Sequence, residues 1–365
     1  MKNAVITIYV NKNIKSHPYL ELLYGELMSR HSTLTVSHME LGLHGMIKIL
    51  KTKGKIILHL HWIETFRKQN RLNFIIIIFY LSCILIFLRF IRRVKIITTL
   101  HNIVPHEIKY ITLEHLLFKL ILTLSNSIIV HSKIAKLIST KLYDVAIKKI
   151  NVIPHGNFIK QYPNKTSMVQ ARERLGITQN RFVILFFGYI RRYKGLEIIL
   201  DFLKKFDKLP EIIKKEILFL FAGCFREKEF LHSLLKLRDL KGLPIVIYDK
   251  FVDNNYVQYF MNSCNIGLIP YESITTPGSL LLFMSFKKPV IISRHLNILE
   301  LANEKFCIFL REYSGDELSL AIQKAYFWWK LGRLEEMGNH SYNEALKYDW
   351  KIISEEHFKL FTEKS

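Results

Sequence analysis

Short β-rich runs alternate with longer helical patterns along almost the whole chain, and this alternation limits the fold more than any other feature. Apolar runs at residues 5–10, 33–37, 55–61, 95–101, 127–131 and 151–154 are separated by helix-period stretches at 18–30, 45–53, 72–92, 112–124 and 133–142. Residues 157–167 (NFIKQYPNKTS) interrupt the pattern with a polar, proline-containing stretch that reads as a linker. The alternation then resumes, with strands at 182–187, 217–222, 245–248, 266–269 and 289–292 and helices at 196–206, 227–240, 255–262 and 279–286. Apolar strands joined through helices by short connections form parallel, doubly wound sheets. The pattern therefore predicts an α/β chain with domains at 1–158 and 165–341 and a C-terminal helix, 342–365, packing back on the first. Ligands of such sheets bind outside the carboxyl ends of the strands, so two facing sheets would share one cleft.

Charge is distributed unevenly. Of the net +22, residues 1–160 carry 23 Lys+Arg against 7 Asp+Glu, or +16, and the remainder 30 against 24, or +6. A basic half beside a near-balanced one is expected to meet an anionic surface, the plain alternative being a general drift toward lysine and isoleucine. Half of the residues are apolar and 13% aromatic, which argues against disorder. The cysteines, Cys83, Cys224, Cys264 and Cys307, show no CxxC spacing, so neither a zinc site nor a disulfide framework is expected and a reducing cytoplasm fits. The opening MKNAVITIYV lacks the apolar stretch and cleavage site of a signal peptide.

Residues 72–88 (LNFIIIIFYLSCILIFL) run without a charge and end on Arg89, Arg92 and Arg93. Spanning a bilayer takes roughly 20 apolar residues, so the segment is borderline. Strand-like KIILHLHW before it and VKIITTLHN after it would share one sheet across a crossover helix, whereas a span would put them on opposite sides of a membrane. A buried or interfacial helix is expected, packed largely within the first domain, with basic and aromatic side chains of neighbouring helices forming a docking face. That places the protein in the cytoplasm, peripherally on the inner face of the cell membrane.

Two stretches carry chemistry. In FFGYIRRYKG a strand ends at Gly188 and a helix starts near Gly195, so Arg191, Arg192 and Lys194 lie on a strand-to-helix loop, where cations suit a diphosphate. A solvated basic turn is the bland reading. In IPYESITTPGSLLLF, residues Thr276, Gly278, Ser279 and Leu280 open an apolar helix whose first amides point at an anion; an ordinary capped helix start would look similar. Neither GxGxxG nor GxxxxGK[ST] occurs, which counts against a dehydrogenase and a P-loop kinase. His59 and His61 in LHLHWIE are read as alternating on a strand, one of the two facing the ligand; His61 with Trp62 is a candidate acceptor surface.

Both stretches, in this order, resemble the glycosyltransferase family 4 group of GT-B enzymes. FGYIRRYKGLEIIL, TLHNIVPHE at 99–107, VIPHGN at 152–157 and YDWKIISEEH near the end are each similar to family forms, so the resemblance covers nearly the whole chain. It implies two Rossmann-like domains, a nucleotide-sugar donor whose diphosphate is held by Arg191 and Lys194, and a histidine, His101, close to the transferred sugar. Glu107 would be the general base of an inverting transfer. Gly188, Glu272, Thr276, Gly278, Ser279 and Leu280 complete the donor set; His17, His61 and Trp62 make the acceptor set. Many members carry two glutamates eight positions apart, but Ile274 and Leu282 stand there, with Glu272 out of register, and Tyr189 stands where an arginine is usual. No metal or other cofactor is expected, since cations and amides would stabilise the departing diphosphate. The expected acceptor is lipid-linked or an oligosaccharide, used in surface polysaccharide synthesis at an anionic membrane. Rival readings are a sugar-nucleotide epimerase on the same fold and a basic nucleic-acid-binding protein. The second lacks a recognisable binding module, so no specific nucleic acid is expected.

Overall fold

The computed structural model describes residues 5–11, 17–104, 109–272 and 278–363. The chain divides into two compact units, Met1–Gly156 with Asp349–Ser365, and Asn157–Tyr348. These limits differ from the expected 158, 165 and 342 for a local reason. Asn157 is tied into the second unit, its amide donating to Tyr348 O at 2.9 Å and its Nδ2 to Ala345 O at 2.8 Å.

The first unit runs β1 (Ile6–Asn11), α1 (Pro18–Arg30), β2 (Leu34–Met39), α2 (Leu43–Lys51), β3 (Lys55–His61), α3 (Arg71–Ile86), β4 (Lys95–Thr99), α4 (Ile111–Leu124), β5 (Ser127–Val130), α5 (Lys133–Tyr143) and β6 (Ile150–Val152). Its strands form one parallel sheet in the order β2-β1-β3-β4-β5-β6. Strands β3 and β4 are buried along their length, which explains why they read as continuous apolar runs. Strand β4 stops at Thr99, two residues earlier than expected, so His101 lies just beyond the strand.

Helix α3 continues through a π-turn at Phe87–Ile91. Phe74, Leu81, Leu85 and Leu88 are buried against the sheet and α4, but the helix is apolar all round and these neighbours cover one face only. In the Arg71–Ile91 run, 33% of the most apolar window is buried. The expectation that this segment packs largely inside is therefore corrected: it presents a bare apolar side.

The second unit runs α6 (Met168–Leu175), β7 (Phe182–Phe187), α7 (Leu196–Lys204), α8 (Glu211–Glu216), β8 (Ile217–Ala222), α9 (Lys228–Lys241), β9 (Ile245–Tyr248), α10 (Val257–Ser263), β10 (Ile266–Ile269), α11 (Gly278–Ser285), β11 (Val290–Ser293), β12 (Cys307–Leu310), α12 (Gly315–Lys330) and α13 (Arg333–Leu346). Its sheet is again parallel, in the order β12-β11-β10-β7-β8-β9. Helix α14 (Trp350–Thr362) returns to the first unit and packs on α1.

Candidate active site

Each sheet delivers polar side chains at the carboxyl ends of its strands, the edge where such folds bind ligands. In the second unit, Gly188 follows β7 with φ 101° and Gly195 opens α7 with φ 84°. Gly195 satisfies two demands: a side chain is disfavoured at that φ, and a Cβ there would collide with the Pro270 carbonyl. This close approach joins the loop after β7 to the loop after β10. The join is sealed by the Glu272 amide donating to Tyr193 O at 2.8 Å and by the edge-on packing of Tyr193 and Tyr271.

Lys194 sits at this join. It is buried, its Nζ lies 5.1 Å from the centre of the Tyr271 ring, and a Cβ on Gly188 would lie 3.3 Å from that Nζ. Among the described residues no carboxylate pairs with it, and burial lowers its pKa from the ordinary lysine value, with the Arg191 charge adding in the same direction. Tyr271 also shares a 2.9 Å hydrogen bond between its hydroxyl and Ser279 Oγ, linking the basic loop to the first turn of α11. A buried ammonium with no described carboxylate partner, beside a glycine and a helix start, is the chemistry of an anion site. Arg192 does not contribute, being exposed and paired with Glu197 at 2.7 Å. The Leu280 side chain is buried in the core, so only its amide can serve a ligand.

In the first unit a row of imidazoles lies along the carboxyl edge. His61 ends β3, and His101, His131 and His155 follow β4, β5 and β6. His131 Nδ1 lies 2.9 Å from Ile153 O, so it donates, and Nε2 must accept from His101 Nδ1 at 3.3 Å. His101 Nε2 then accepts from His61 Nδ1 at 3.0 Å, and His61 Nε2 from the Tyr24 hydroxyl at 2.9 Å. The Tyr24 oxygen accepts from His59 Nδ1 at 2.8 Å, and His59 Nε2 from Thr99 Oγ1 at 2.8 Å. The Ile153 carbonyl thus fixes the tautomers of His131, His101, His61 and His59, while His155 donates separately from Nδ1 to the Gly156 carbonyl at 2.6 Å. Tyr19 and Trp350 pack against the rings from α1 and α14.

Burial is the first cause holding these histidines neutral. It lowers His131 to about 4, His155 to about 3 and His357 to about 4, and takes His59, His61 and His101 well below the usual range, neighbouring imidazoles adding to the effect. His17, half-exposed, is lowered to about 4 by burial against the opposing pull of Glu21; its Nδ1 accepts the Tyr19 amide at 3.2 Å. Trp62 adopts a left-handed backbone, φ 45° and ψ 60°. That is costly for a bulky residue, and its ring is held 3.9 Å from His101 and 4.4 Å from His17.

Several expectations change. His59 and His61 do not alternate; residues two apart on a strand share a face, and both meet Tyr24. His61 is fully buried with both ring nitrogens bonded, so it supports His101 and does not line an acceptor surface. His101 is itself 4% exposed, with both nitrogens engaged. Glu107 and Thr276 lie outside the described residues. Sequence reasoning missed Tyr271 and Glu64. Glu64, two residues after Trp62, accepts from Asn102 Nδ2 at 2.6 Å, and burial raises its pKa. The row had a visible signal, a histidine after strand upon strand: LHLH, TTLH, IIVH and VIPH. A cavity of about 730 Å³, lined by Arg71, Leu72, Ile75, Lys109 and Tyr110 among others, opens after β3 and β4.

Residues 168–332 match the model of the glycosyl transferases group 1 family. No curated protein sequence matches the chain. HepE from Anabaena, solved with UDP-glucose, is similar with a TM-score of 0.72 at 14% identity, over 99% of this chain and 100% of the other. Sucrose-phosphate synthase from Thermosynechococcus elongatus gives 0.73 at 14% identity over 98% of each chain. A glycosyltransferase from Rickettsia africae gives 0.72 at 13%, over 99% of this chain and 98% of the other. At these identities the likeness establishes the fold, which is GT-B with two Rossmann-like domains.

Proposed function

We propose that this chain, whose residues 168–332 carry the glycosyl transferases group 1 domain, moves a sugar from a nucleotide-sugar donor in the second unit to an acceptor hydroxyl. Buried Lys194, with no carboxylate partner among the described residues, at the join of two ligand-edge loops carries the reading. In the transfer the bond from the sugar's anomeric carbon to the diphosphate breaks and a bond to the acceptor oxygen forms. Lys194, Arg191 and the first amides of α11, from Gly278 through Leu280, would stabilise the charge left on the diphosphate. Gly188 lets that diphosphate approach the backbone, and Ser279 and Glu272 border it. The complex of HepE with UDP-glucose supports a uridine nucleotide as the first donor to try.

The acceptor belongs to the carboxyl edge of the first unit, where His17 and Trp62 remain partly exposed and His101 supports the Trp62 ring. It is a saccharide or lipid-linked saccharide used in surface polysaccharide synthesis, met by a cytoplasmic protein held peripherally on the inner membrane face. The reaction needs no metal, the two cations supplying the charge. A thermal-shift panel of nucleotide sugars tests the donor, because a cognate ligand raises the melting temperature by mass action. No shift from any UDP-, GDP- or TDP-sugar overturns the reading, and loss of turnover in EDTA overturns the metal-free part.

A further inference from the structure

Helices α2 and α3 present adjoining apolar surface that stays exposed among the described residues. Phe79, Leu43 and Ile91 are 71%, 69% and 69% exposed, and Ile47, Ile76 and Phe90 are exposed beside them. The two helices lie side by side. A Cβ on Gly42, the N-cap of α2, would lie 3.6 Å from the Tyr80 hydroxyl of α3. At the other end, Arg92 Nη2 reaches the carbonyls of Ile49 and Leu50 in the last turn of α2 at 3.4 and 3.3 Å. Several large apolar side chains on one face exceed what scattered exposure explains.

A basic cavity adjoins this face where the helices end. It measures about 530 Å³, and its walls include Lys51, Lys53, Lys55, Arg92 and Arg93 together with Leu50, which also belongs to the apolar face. Among the described residues no acidic one lines it. Lys55 and Arg92 are spent on backbone carbonyls, at Thr362 and at the end of α2. Lys51, Lys53 and Arg93 are exposed and have no side-chain partner among the described residues. The cavity lies at the start of β3 and β4, the opposite edge of the sheet from the histidine row.

We infer that this face docks on an anionic lipid bilayer, with α2 and α3 lying in the interface and lipid headgroup phosphates entering the basic cavity. Apolar side chains beside a ring of cations without acids complement a leaflet with anionic headgroups. A span is disfavoured. Strands β3 and β4, on either side of α3, pair in one parallel sheet from Ile57 with Lys95 to His61 with Thr99. Insertion would also pull Phe74, Leu81 and Leu85 out of the core. A second copy of this chain fits less well, because the same cations would face each other across a two-fold contact. The docking deepens the acceptor reading above but does not need turnover to be seen.

Sedimentation with vesicles tests it, without donor present. The full chain should bind phosphatidylglycerol/phosphatidylcholine vesicles, fail to bind phosphatidylcholine alone, and come off in high salt or carbonate. Reversing Lys51, Lys53 and Arg93 to Glu should weaken binding about 100-fold or more, since each cation near such a leaflet contributes about a factor of five. Phe79→Asp should weaken it through the apolar side. Inorganic phosphate should compete only if the cavity binds phosphate apart from a membrane; weak or absent competition with strong vesicle binding is the expected result. Both variants should keep the parent's melting temperature and its shift with nucleotide sugar, which separates failure here from failure of the donor assignment. Equal binding to neutral vesicles, release by detergent only, no vesicle binding, or a dimer dissociated by Phe79→Asp each overturns the inference.

Discussion

His61 Nδ1 lies 3.0 Å from His101 Nε2, and the groups on their far sides decide which ring holds the shared proton. His101 has its own proton on Nδ1, facing His131, whose Nδ1–H is in turn committed to the Ile153 carbonyl. His61 must therefore donate from Nδ1 and accept a hydrogen bond from the Tyr24 hydroxyl at Nε2. Neutral rings in a single direction satisfy every link; a protonated member would set two donors against each other somewhere in the row.

Tyr24 is the link whose removal is cleanest. Tyr24→Phe keeps the buried ring but leaves His61 Nε2 without a donor and His59 Nδ1 without an acceptor. Each orphaned group should cost about 1–3 kcal/mol, read as a fall in the urea midpoint at unchanged slope. An unchanged midpoint would show that the row does not hold the first unit together.

Acid should undo the same unit. His17, His59, His61, His101, His131, His155 and His357 all have folded pKa values below the ordinary 6.5, with burial the leading cause. A depressed folded pKa means the unfolded chain binds more protons, so stability is complete above about pH 6.5 and is lost as pH falls toward 4. Each proton taken up on unfolding steepens the loss by about 1.4 kcal/mol per pH unit. Unfolding free energies measured from pH 7.5 to 4.5 should be flat at first and then fall with a slope of several protons; a flat curve throughout would refute neutral burial.

Much of this architecture is legible in the sequence because buried parallel strands leave continuous apolar runs. β3, β7, β8, β9 and β10 have the expected limits. Strand β12 has no counterpart in the expected pattern, although it is no shorter than β9 and β10, and β4 looks longer than it is because the apolar Leu100 continues its pattern. The basic loop after β7 is equally visible, since cations and glycines there have no packing role to hide behind. Its partner Tyr271 is not, because an aromatic beside Pro270 looks like ordinary core until the Gly195 contact brings it over Lys194. Periodicity also identifies α3 as apolar, yet only the sheet and α4 decide how much of it is covered.

Gly195→Ala tests that contact. The new methyl meets the Pro270 carbonyl oxygen on a backbone at φ 84°, so both steric overlap and conformational strain oppose it. Destabilisation of about 1–3 kcal/mol is expected, with nucleotide-sugar affinity falling further than stability as the two loops separate. Gly242→Ala, also at positive φ but with open space around it, is the control: it should show the strain without the loss of donor affinity.

Lys194 should separate stability from function. Its charge is buried with no carboxylate partner among the described residues, so without donor only the neighbouring tyrosine rings offset part of the ammonium's desolvation. Lys194→Met keeps most of the side chain's length and removes that burden, and the donor-free protein should melt higher. The same change deletes a charge-assisted contact to the diphosphate, worth roughly 1.5–3 kcal/mol, or about a 10- to 150-fold loss of donor affinity. Lys194→Arg should not restore it, because a planar guanidinium does not fit the space of a compact ammonium beside Gly188. The measurements are melting temperatures with and without nucleotide sugar. A variant that melts lower and binds donor as tightly as the parent would make Lys194 a structural residue and leave the anion site without its principal charge.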